Sequence, residues 1–269
     1  MNKKKKIGLA LGSGGVRGLA HIGVLKALEK HNIEIDFIAG SSIGSMVSAY
    51  YAATTDLAEL EQIVLQNDWR TSLSLLDPSW SGGLVKGDKV EKMINSWFGD
   101  INFDNLKIPL AIVATDLKSG REIVFKKGEL SKIIRGSISV PAFFKPLKYK
   151  NYILADAGLS NPLPDNVVRE MGSDIVIAVN LDTVYLSKDF NNPNTSVVNV
   201  SLRAINVMRH HLSLYSVNHA DVLISPQVKE KGLIGWNRFF NQKEAKKIIK
   251  IGEKETEKHI PEIMEKISL

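Results

Sequence analysis

The sequence predicts an α/β protein whose mostly parallel central sheet carries helices on both faces. Short apolar runs alternate along the chain with segments in which apolar residues recur at helical spacing. Such alternation is typical of parallel strands joined by helical crossovers. The 269 residues suffice for one large domain. We expect that domain to span residues 1–269, with a motif-bearing core at about 6–180 and a helical and strand completion at 181–269.

In the first half of the chain, strands and helices follow one another closely. The apolar run after Lys6 ends in a glycine-rich turn, and small and apolar residues then recur every three or four positions. A turn at Ser119 and Gly120 predicts a hairpin between the strands that flank it. The predicted strands are Ile7–Leu11, Ile35–Ala39, Pro109–Thr115 and Glu122–Phe125. The predicted helices are Val16 to about His31, Ile43–Ala53, Leu57–Asn67 and Val85–Phe98, the last beginning near Gly87.

The second half of the chain continues the same pattern. The predicted strands are Tyr152–Ala155, Ile175–Asn180 and Asp221–Ser225. The predicted helices are Leu130–Ile138, Ser196–His219 and Gln242–His259. Proline is tolerated in the first turn of a helix, so Pro261 is expected to open a separate short helix.

Composition and the lengths of the apolar stretches limit the cellular compartments, the catalytic groups and the partners that the protein can have. Cysteine is absent, which excludes disulfides, thiolate zinc sites and a cysteine nucleophile. The apolar stretch after Lys6 is shorter than the roughly 7 residues that a secretory signal needs, and no stretch approaches the roughly 20 that cross a bilayer. We therefore expect a cytoplasmic protein. A formal charge of +6 and the lysines at positions 3–6 allow peripheral contact with an anionic membrane surface. Basic residues are mixed with glutamates rather than grouped with aromatics, which argues against nucleic-acid binding.

The strongest local motif is a Gly-x-Ser-x-Gly pattern between a predicted strand and a predicted helix. It consists of Gly40, Ser41, Ser42, Ile43 and Gly44. In this setting the serine occupies a tight turn with its hydroxyl above the sheet, and the two glycines relieve backbone crowding. Ser42 is therefore the candidate nucleophile.

A second glycine-rich loop lies between the first strand and the first helix. Gly12, Gly14, Gly15 and Gly18 surround Ser13, Val16 and Arg17. Backbone N–H groups in such a loop can converge at a helix N-terminus and favour an anion or a developing oxyanion. Arg17 stands where the dinucleotide-binding pattern requires glycine, and the Gly-Lys-Ser/Thr end of a P-loop is missing. Taken alone, this loop leaves a phosphate site, an oxyanion site and a plain tight turn open.

A serine hydroxyl needs a group that accepts its proton. In the chain order of an α/β-hydrolase triad the histidine follows the nucleophile and the acid, which leaves His210, His211, His219 and His259. All four lie on predicted helices, so we interpret them as surface or helix-end residues. Asp156 instead ends a predicted strand, and the turn at Ala157 and Gly158 can bring its carboxylate to the same edge of a parallel sheet as Ser42. Because an ordinary aspartate has a pKa near 3.9, this role requires partial desolvation.

In this order, the three motifs resemble the signature of the patatin-like phospholipase family. They are the glycine loop with Arg17, the turn at Ser42 and the Asp156-Ala157-Gly158 turn. The segment 139–146, Ser-Val-Pro-Ala-Phe-Phe-Lys-Pro, is similar to the family's stretch before the aspartate. The resemblance extends from Lys6 to about Lys258 and is greatest to small bacterial single-domain members. Ala157 and Ser13 stand where many members carry glycine.

The resemblance implies a serine acyl hydrolase that cleaves ester bonds of lipids without a metal or a cofactor. Ser42 would attack the ester carbonyl, and Asp156 would take and return the proton. The oxyanion hole would be the loop of Gly12, Gly14, Gly15 and Arg17, with its N–H groups near Gly14 and Gly15 as donors and Arg17 bracing the loop. The glycines that support the other two motifs are Gly40, Gly44 and Gly158.

Two questions stay open at the level of sequence. The substrate can be a phospholipid, a lysophospholipid, a simple ester or a thioester, and no oligomeric state is indicated. The alternatives to a hydrolase are a nucleotide-binding enzyme that uses the glycine loop and a non-catalytic or regulatory patatin-like protein that binds lipid or a protein partner.

Overall fold

A central sheet organises the chain. The computed structural model describes residues 4–66, 74–75, 77–79, 81–99, 101–182, 196–229 and 241–269. Within these ranges the strands are β1 (Ile7–Leu11), β2 (Phe37–Ser41), β3 (Leu110–Asp116), β4 (Glu122–Phe125), β5 (Leu147–Tyr149), β6 (Tyr152–Ala155), β7 (Ile175–Val179) and β8 (Val222–Ile224). They form one sheet in the order β5-β6-β3-β2-β1-β7-β8, and β4 pairs with β3 outside this path.

The sheet has a parallel part and an antiparallel part. β1 pairs in parallel with β2 and β7, β2 with β3, and β7 with β8. β4 and β6 are both antiparallel to β3, and β5 forms a hairpin with β6. The predicted α/β class is confirmed, and so is the hairpin around Ser119 and Gly120. The short strand β5 is an addition that the sequence did not predict, because its three residues carry no clear period-2 pattern.

The helices lie close to their predicted positions, except that α6 had no predicted position. They are α1 (Leu19–Lys30), α2 (Ile43–Thr54), α3 (Leu57–Gln66), α4 (Asp88–Phe98), α5 (Leu130–Ser137), α6 (Asp165–Glu170), α7 (Val197–Tyr215) and α8 (Gln242–Ser268). A short 3-10 helix at Gly15–Gly18 precedes α1. The predicted end of α3 at Asn67 and the lysine at position 3 lie outside the described residues. No helix in the described ranges is long and apolar enough to cross a membrane.

One prediction about the C-terminal helices is wrong. Pro261 does not open a separate helix but lies inside the continuous helix α8. A proline removes one backbone hydrogen bond from a helix interior. Here Ile260 and Ile263, on either side of it, are buried in the core. Their tertiary packing maintains the helix through the proline.

The two faces of the sheet are packed differently. Large residues such as Leu9, Ile38 and Ile177 face the larger core, which includes α1, α2 and α8. On the opposite face a row of alanines crosses four neighbouring strands in register: Ala178, Ala10, Ala39 and Ala111. Alanine side chains let covering segments approach closely, and the short helix α6 packs on this face. Helices on both faces agree with the predicted architecture.

Helices α1 and α8 meet backbone to backbone. A methyl group built at Gly23 of α1 would lie 1.9 Å from the carbonyl oxygen of Ile249, and one at Gly252 of α8 would lie 2.0 Å from that of Ala20. Real side chains do not approach a carbonyl so closely. The two glycines therefore allow α8 to cover the helix that follows the glycine loop.

We predict that Gly23→Ala lowers the free energy of unfolding. The overpacked methyl group must push α8 away, which costs about 1–3 kcal/mol and outweighs the roughly 1 kcal/mol that alanine gains over glycine in a helix. Urea unfolding followed by circular dichroism measures the change. The matched control is Lys247→Ala on the exposed face of α8, which should stay within about 0.5 kcal/mol of wild type. Equal stability of Gly23→Ala and wild type would contradict the contact.

Candidate active site

Ser42 occupies a strained turn between β2 and α2. Its backbone dihedrals are φ 53° and ψ −123°, a region that side-chain-bearing residues rarely adopt. Its neighbours make the turn possible, because a methyl group at Gly40 would lie 2.4 Å from Ser48 Oγ and one at Gly44 would lie 2.1 Å from the carbonyl oxygen of Leu11. The Gly-x-Ser-x-Gly pattern is therefore a requirement of the backbone.

Hydrogen bonds on both sides hold this turn. The N–H of Ser42 donates to Ser137 Oγ at 3.0 Å. The carbonyl of Ser42 accepts from the N–H of Ser45 at 2.8 Å and from its hydroxyl at 2.6 Å. Ser45 and Ser137 are fully buried, so these bonds are shielded from water. These buried hydrogen bonds stabilise the strained backbone conformation of Ser42.

Ser42 and Asp156 are brought together, although they are separated by 114 positions in the chain. The hydroxyl of Ser42 donates to Asp156 Oδ2 at 2.5 Å. Both residues are buried, with exposed fractions of 4% and 2%. The other carboxylate oxygen, Oδ1, accepts from the N–H of Gly158 at 2.9 Å. The carboxylate is thus oriented by a backbone amide and directed at the serine hydroxyl.

The sheet register explains why the two residues meet. β2 pairs Ser41 with Val113, and β6 pairs Ala155 with Thr115. Val113 also pairs with β4, and so does Thr115, so β2 and β6 lie on the same side of β3, opposite β4. Continuing both registers by one residue brings Ser42 and Asp156 together beside Ala114 of β3. β2 pairs with β3 up to Val113 and β6 pairs with it from Thr115 onward, so the ends of β2 and β6 face each other along the same side of β3.

The route by which Asp156 reaches this edge corrects the sequence-based expectation. Asp156 was expected to end a parallel strand, but β6 is antiparallel to β3. Asp156 nevertheless lies at the same edge as Ser42, because β6 pairs with β3 only at Thr115 and Asp116, the last two residues of β3. Thr115 also anchors the residue itself, since its hydroxyl donates to the carbonyl of Asp156 at 2.8 Å.

Burial sets the charge properties of Asp156. Desolvation raises the pKa of its carboxyl group above the ordinary value of 3.8, although the hydrogen bond from Ser42, the charge of Arg209 and the N–H of Gly158 oppose that shift. A raised pKa makes a carboxylate a stronger proton acceptor. This is the partial desolvation that a serine–aspartate pair requires.

The glycine loop divides into an anchored part and a part with unused donors. The N–H of Gly12 donates to the carbonyl of Val179 at 3.1 Å, and that of Ser13 donates to Pro162 at 2.8 Å. Gly14 and Gly15 have φ values of 157° and 56°. Within the described part of the chain, the N–H groups of Gly14 and Gly15 donate to no other group. Of the four predicted loop residues, these two carry the available amides.

Arg17 and His21 hold the loop from its helical side. The guanidinium Nε of Arg17 donates to the carbonyl of Gly14 at 3.1 Å, and the N–H of Arg17 donates to the same oxygen at 3.2 Å. His21 Nε2 lies 2.8 Å from the carbonyl of Gly12. Burial lowers the pKa of His21 to about 4, so the ring is neutral at pH 7 and donates from Nε2. Sequence reasoning did not single out His21.

A single segment after Asp156 connects the three motifs. The carbonyl of Asn161 accepts from Ser41 Oγ at 2.8 Å, next to the nucleophile. The carbonyl of Pro162 accepts from the N–H of Ser13 at 2.8 Å, in the glycine loop. The serine turn, the loop and the aspartate are therefore linked by hydrogen bonds through a few consecutive residues.

The four histidines that follow Ser42 in the sequence lie outside the hydrogen-bonded site of Ser42 and Asp156. His210 is buried in α7, against the expectation of a surface position, and its Nδ1 contacts the carbonyl of Asp182. The ring of His211 packs against that of His210, and His259 lies beside Glu255 and Glu262 on α8. α7 ends at Tyr215, so His219 lies in the following turn, where its N–H donates to Asp165. Among the described contacts, none joins these four histidines to Ser42 or Asp156.

Sequence reasoning also missed a buried charged cluster beside the site. Asp182 follows β7 and accepts from Arg17 Nη2, from Arg209 Nε at 2.8 Å and from Ser13 Oγ at 2.6 Å. Its position just after the most apolar strand is a signal that could have found it, because ligand-binding residues gather at carboxyl strand ends. Arg209 carries no such signal, since it lies in the middle of α7.

Comparisons with known proteins place the chain in a family. The sequence profile of patatin-like phospholipases matches residues 9–167. An uncharacterised NTE family protein of Mycobacterium tuberculosis is 39% identical over 178 residues, which cover 66% of this chain and 49% of the relative. Lysophospholipase NTE1 of Pyricularia oryzae is 31% identical over 186 residues, or 67% of this chain and 12% of the relative. The chain belongs to the patatin-like phospholipase family and spans about half the length of the mycobacterial relative.

The fold is shared with a solved structure. VipD from Legionella pneumophila superposes with a TM-score of 0.64 at 12% sequence identity, covering 99% of this chain and 67% of that one. At this level of identity the likeness concerns the architecture. The shared architecture covers nearly the whole chain, including the strands and helices after residue 167.

We predict that Asp156→Asn raises the free energy of unfolding at neutral pH by about 1 kcal/mol, as stabilising single substitutions commonly do. The folded protein binds the proton of Asp156 more tightly than the unfolded chain does, because burial raises the pKa. Wild-type stability therefore falls as pH rises from 3.8 through the folded pKa, whereas asparagine has no such dependence. Urea unfolding at pH 4 and pH 8 should show a larger advantage of the variant at pH 8.

Asp116→Asn is the matched control of opposite sign. Asp116 accepts from the N–H of Ile153, and this and its other hydrogen bonds lower its pKa. Its carboxylate thus stabilises the fold above pH 3.8, and the contribution is lost as pH falls through the lowered pKa. Asparagine at position 116 should destabilise the protein at pH 8. If Asp156→Asn destabilised it there as well, the assigned environment of Asp156 would be wrong.

Proposed function

We propose that this chain is a serine hydrolase that cleaves acyl esters of lipids through a Ser42–Asp156 catalytic dyad. The observation that carries the proposal is the 2.5 Å hydrogen bond from the strained Ser42 hydroxyl to the buried Asp156 carboxylate. Family membership supports the same chemistry. We also propose that residues 1–269 act as one catalytic domain, because the loop, nucleophile and base lie on one sheet edge.

The first half of the proposed reaction forms an acyl-enzyme. Ser42 Oγ attacks the ester carbonyl carbon as its proton passes to Asp156 Oδ2. Negative charge develops on the carbonyl oxygen, and we assign its stabilisation to the N–H groups of Gly14 and Gly15. The Gly12 amide is occupied by Val179, so Gly12 shapes the loop rather than donating. Collapse of the intermediate breaks the ester bond, and the leaving alkoxide takes the proton from Asp156.

The second half repeats these steps with water. Asp156 takes a proton from a water molecule, and the resulting hydroxide attacks the acyl carbon. The same two amides hold the second oxyanion. Breaking the bond to Ser42 Oγ returns the proton to the serine and releases a fatty acid. The cycle requires Asp156 to be ionised at its start.

The relatives favour a lipid with one or more acyl chains as substrate. The fungal relative is named a lysophospholipase, so lysophospholipids lead the candidates, ahead of diacyl phospholipids, simple esters and thioesters. The formal charge of +6 favours anionic lipid surfaces. A panel of lysophospholipids and phospholipids in anionic or neutral vesicles, with release of fatty acid as readout, ranks these classes.

The nucleotide-binding alternative is disfavoured by the surroundings of Arg17. The cation of the loop, the Arg17 guanidinium, is buried and pairs with Asp182, so its charge is already neutralised and adds little attraction for a phosphate group. The non-catalytic alternative would leave the strain at Ser42 and the burial of Asp156 without a use. Both observations favour the hydrolase.

We predict that a fluorophosphonate probe labels the wild-type protein at Ser42. Ser42→Ala should lose labelling and hydrolysis entirely, because the nucleophile is gone. Asp156→Asn should retain the fold and lose about 10²- to 10⁴-fold in kcat, the range for a missing general base. Ser96→Ala, an exposed serine on α4, is the matched control and should label as wild type does. A folded wild-type protein that neither labels nor releases fatty acid would point to the non-catalytic alternative.

We predict a pH profile with a single acid limb above the ordinary aspartate range. Asp156 must be ionised to accept the serine proton, and burial raises its pKa above 3.8. The value of kcat/KM should therefore fall tenfold per pH unit below that raised pKa and level off above it. Initial rates on a soluble short-chain ester between pH 4 and pH 9 measure the limb. A limb at or below pH 3.8 would contradict the role of Asp156 as base.

A further inference from the structure

The cluster around Asp182 joins the glycine loop to helix α7. Asp182 and its two arginine partners are almost fully buried, with exposed fractions of 3%, 4% and 6% for Asp182, Arg17 and Arg209. Burial alone would raise the pKa of Asp182, but the guanidinium groups of Arg209 and Arg17 outweigh it and hold that pKa below its usual value. Asp182 is therefore ionised between two cations. Its own N–H donates to Asn180 Oδ1 at 2.9 Å, which fixes its backbone.

On the loop side, Asp182 is bonded at two points that flank the available amides. Ser13 lies just before Gly14 and donates its hydroxyl to Asp182 Oδ2, and Arg17 lies two residues after Gly15 and donates to Oδ1. Arg17 also grips the carbonyl of Gly14. In a trans peptide the carbonyl of Gly14 and the N–H of Gly15 point in opposite directions. Holding the carbonyl of Gly14 in place therefore also fixes the direction of the N–H of Gly15.

On the side of helix α7, Arg209 connects the cluster to the turn that holds Asp156. A methyl group at Gly158 would lie 2.6 Å from Arg209 Cδ, so the arginine packs directly on the turn whose amide orients Asp156. Arg209 thus contacts the turn after Asp156 with its aliphatic carbons and Asp182 with its guanidinium group. One side chain of α7 spans the two halves of the site.

We propose that Arg209 and Asp182 are positioning residues that set the oxyanion loop against the Ser42–Asp156 pair. Neither touches the reacting atoms, and both act through Ser13, Arg17 and Gly158. A site of this kind loses rate when its donors shift by a fraction of an ångström. The inference rests on the proposed hydrolase function, and it adds to that function a link from α7 to the catalytic geometry.

The test compares steady-state kinetics of Arg209→Gln, Asp182→Asn and Ser13→Ala on a soluble short-chain ester. We expect kcat to fall by about 10- to 100-fold in the two charge variants, less in Ser13→Ala, and KM to change by no more than about twofold. The matched control is Arg169→Gln, which breaks a half-exposed arginine–aspartate pair with Asp221 near the start of β7, at the opposite end of the sheet. That variant should keep wild-type kcat.

The acid limb of the pH profile separates positioning from a loss of fold. Arg209 lowers the pKa of Asp156 and Asp182 raises it. Arg209→Gln should therefore move the limb to higher pH, Asp182→Asn should move it to lower pH, and the uncharged change Ser13→Ala should leave it in place. Arg209→Lys keeps the charge and should return the limb to the wild-type position while restoring only part of kcat. A merely structural role would not produce opposite shifts.

The outcomes keep the two proposals apart. A wild-type protein that neither hydrolyses esters nor labels with the probe would remove the proposed function. An active wild type whose Arg209→Gln variant keeps full kcat, or loses no more than Arg169→Gln, would overturn the positioning role alone. If Asp182→Asn does not fold, Ser13→Ala and Arg209→Lys decide the question, and unchanged kcat in both would also overturn it.

Discussion

The proposed site depends on a buried carboxylate whose surroundings favour its neutral form. Asp156 lies almost entirely out of water, with Ser42 and the N–H of Gly158 as its hydrogen-bond partners. Desolvation makes the carboxylate more basic, and those bonds keep it aimed at one hydroxyl. In the proposed reaction this carboxylate accepts the serine proton in place of a histidine. The cost is a locally unfavourable charge, which the rest of the fold must stabilise.

The fold meets this requirement with close backbone packing around the site. Glycines at 40 and 44 let the serine turn approach Leu11 and Ser48, and the alanine row lets the opposite face of the sheet be covered tightly. The segment that follows Asp156 bonds to both the loop and the serine turn. The arginine–aspartate cluster carries the same rigidity to α7. Each connection limits the motion of a group that the chemistry needs in place.

Much of this could be predicted from local pattern. β1, β4 and β6 begin and end at the predicted residues, because apolar runs bounded by glycine or aspartate mark buried strands well. The pairing of Ser42 with Asp156 was also predicted. Its geometric basis was not, since β6 is antiparallel and reaches the edge by overlapping only the end of β3. Strand direction depends on partners distant in the chain, and no local pattern encodes it.

By itself, the sequence determined most of the strands and helices and the three motifs, because turns and amphipathic faces depend on residues only a few positions apart. Tertiary structure alone decided that Pro261 lies within α8, that His210 is buried and that the N–H of Gly12 donates to Val179 at the end of β7. It also decided that Arg209 and Asp182 meet beside the site. These features arise where side chains from separate elements compete for the same buried volume and hydrogen bonds, and that competition exists only in the folded chain.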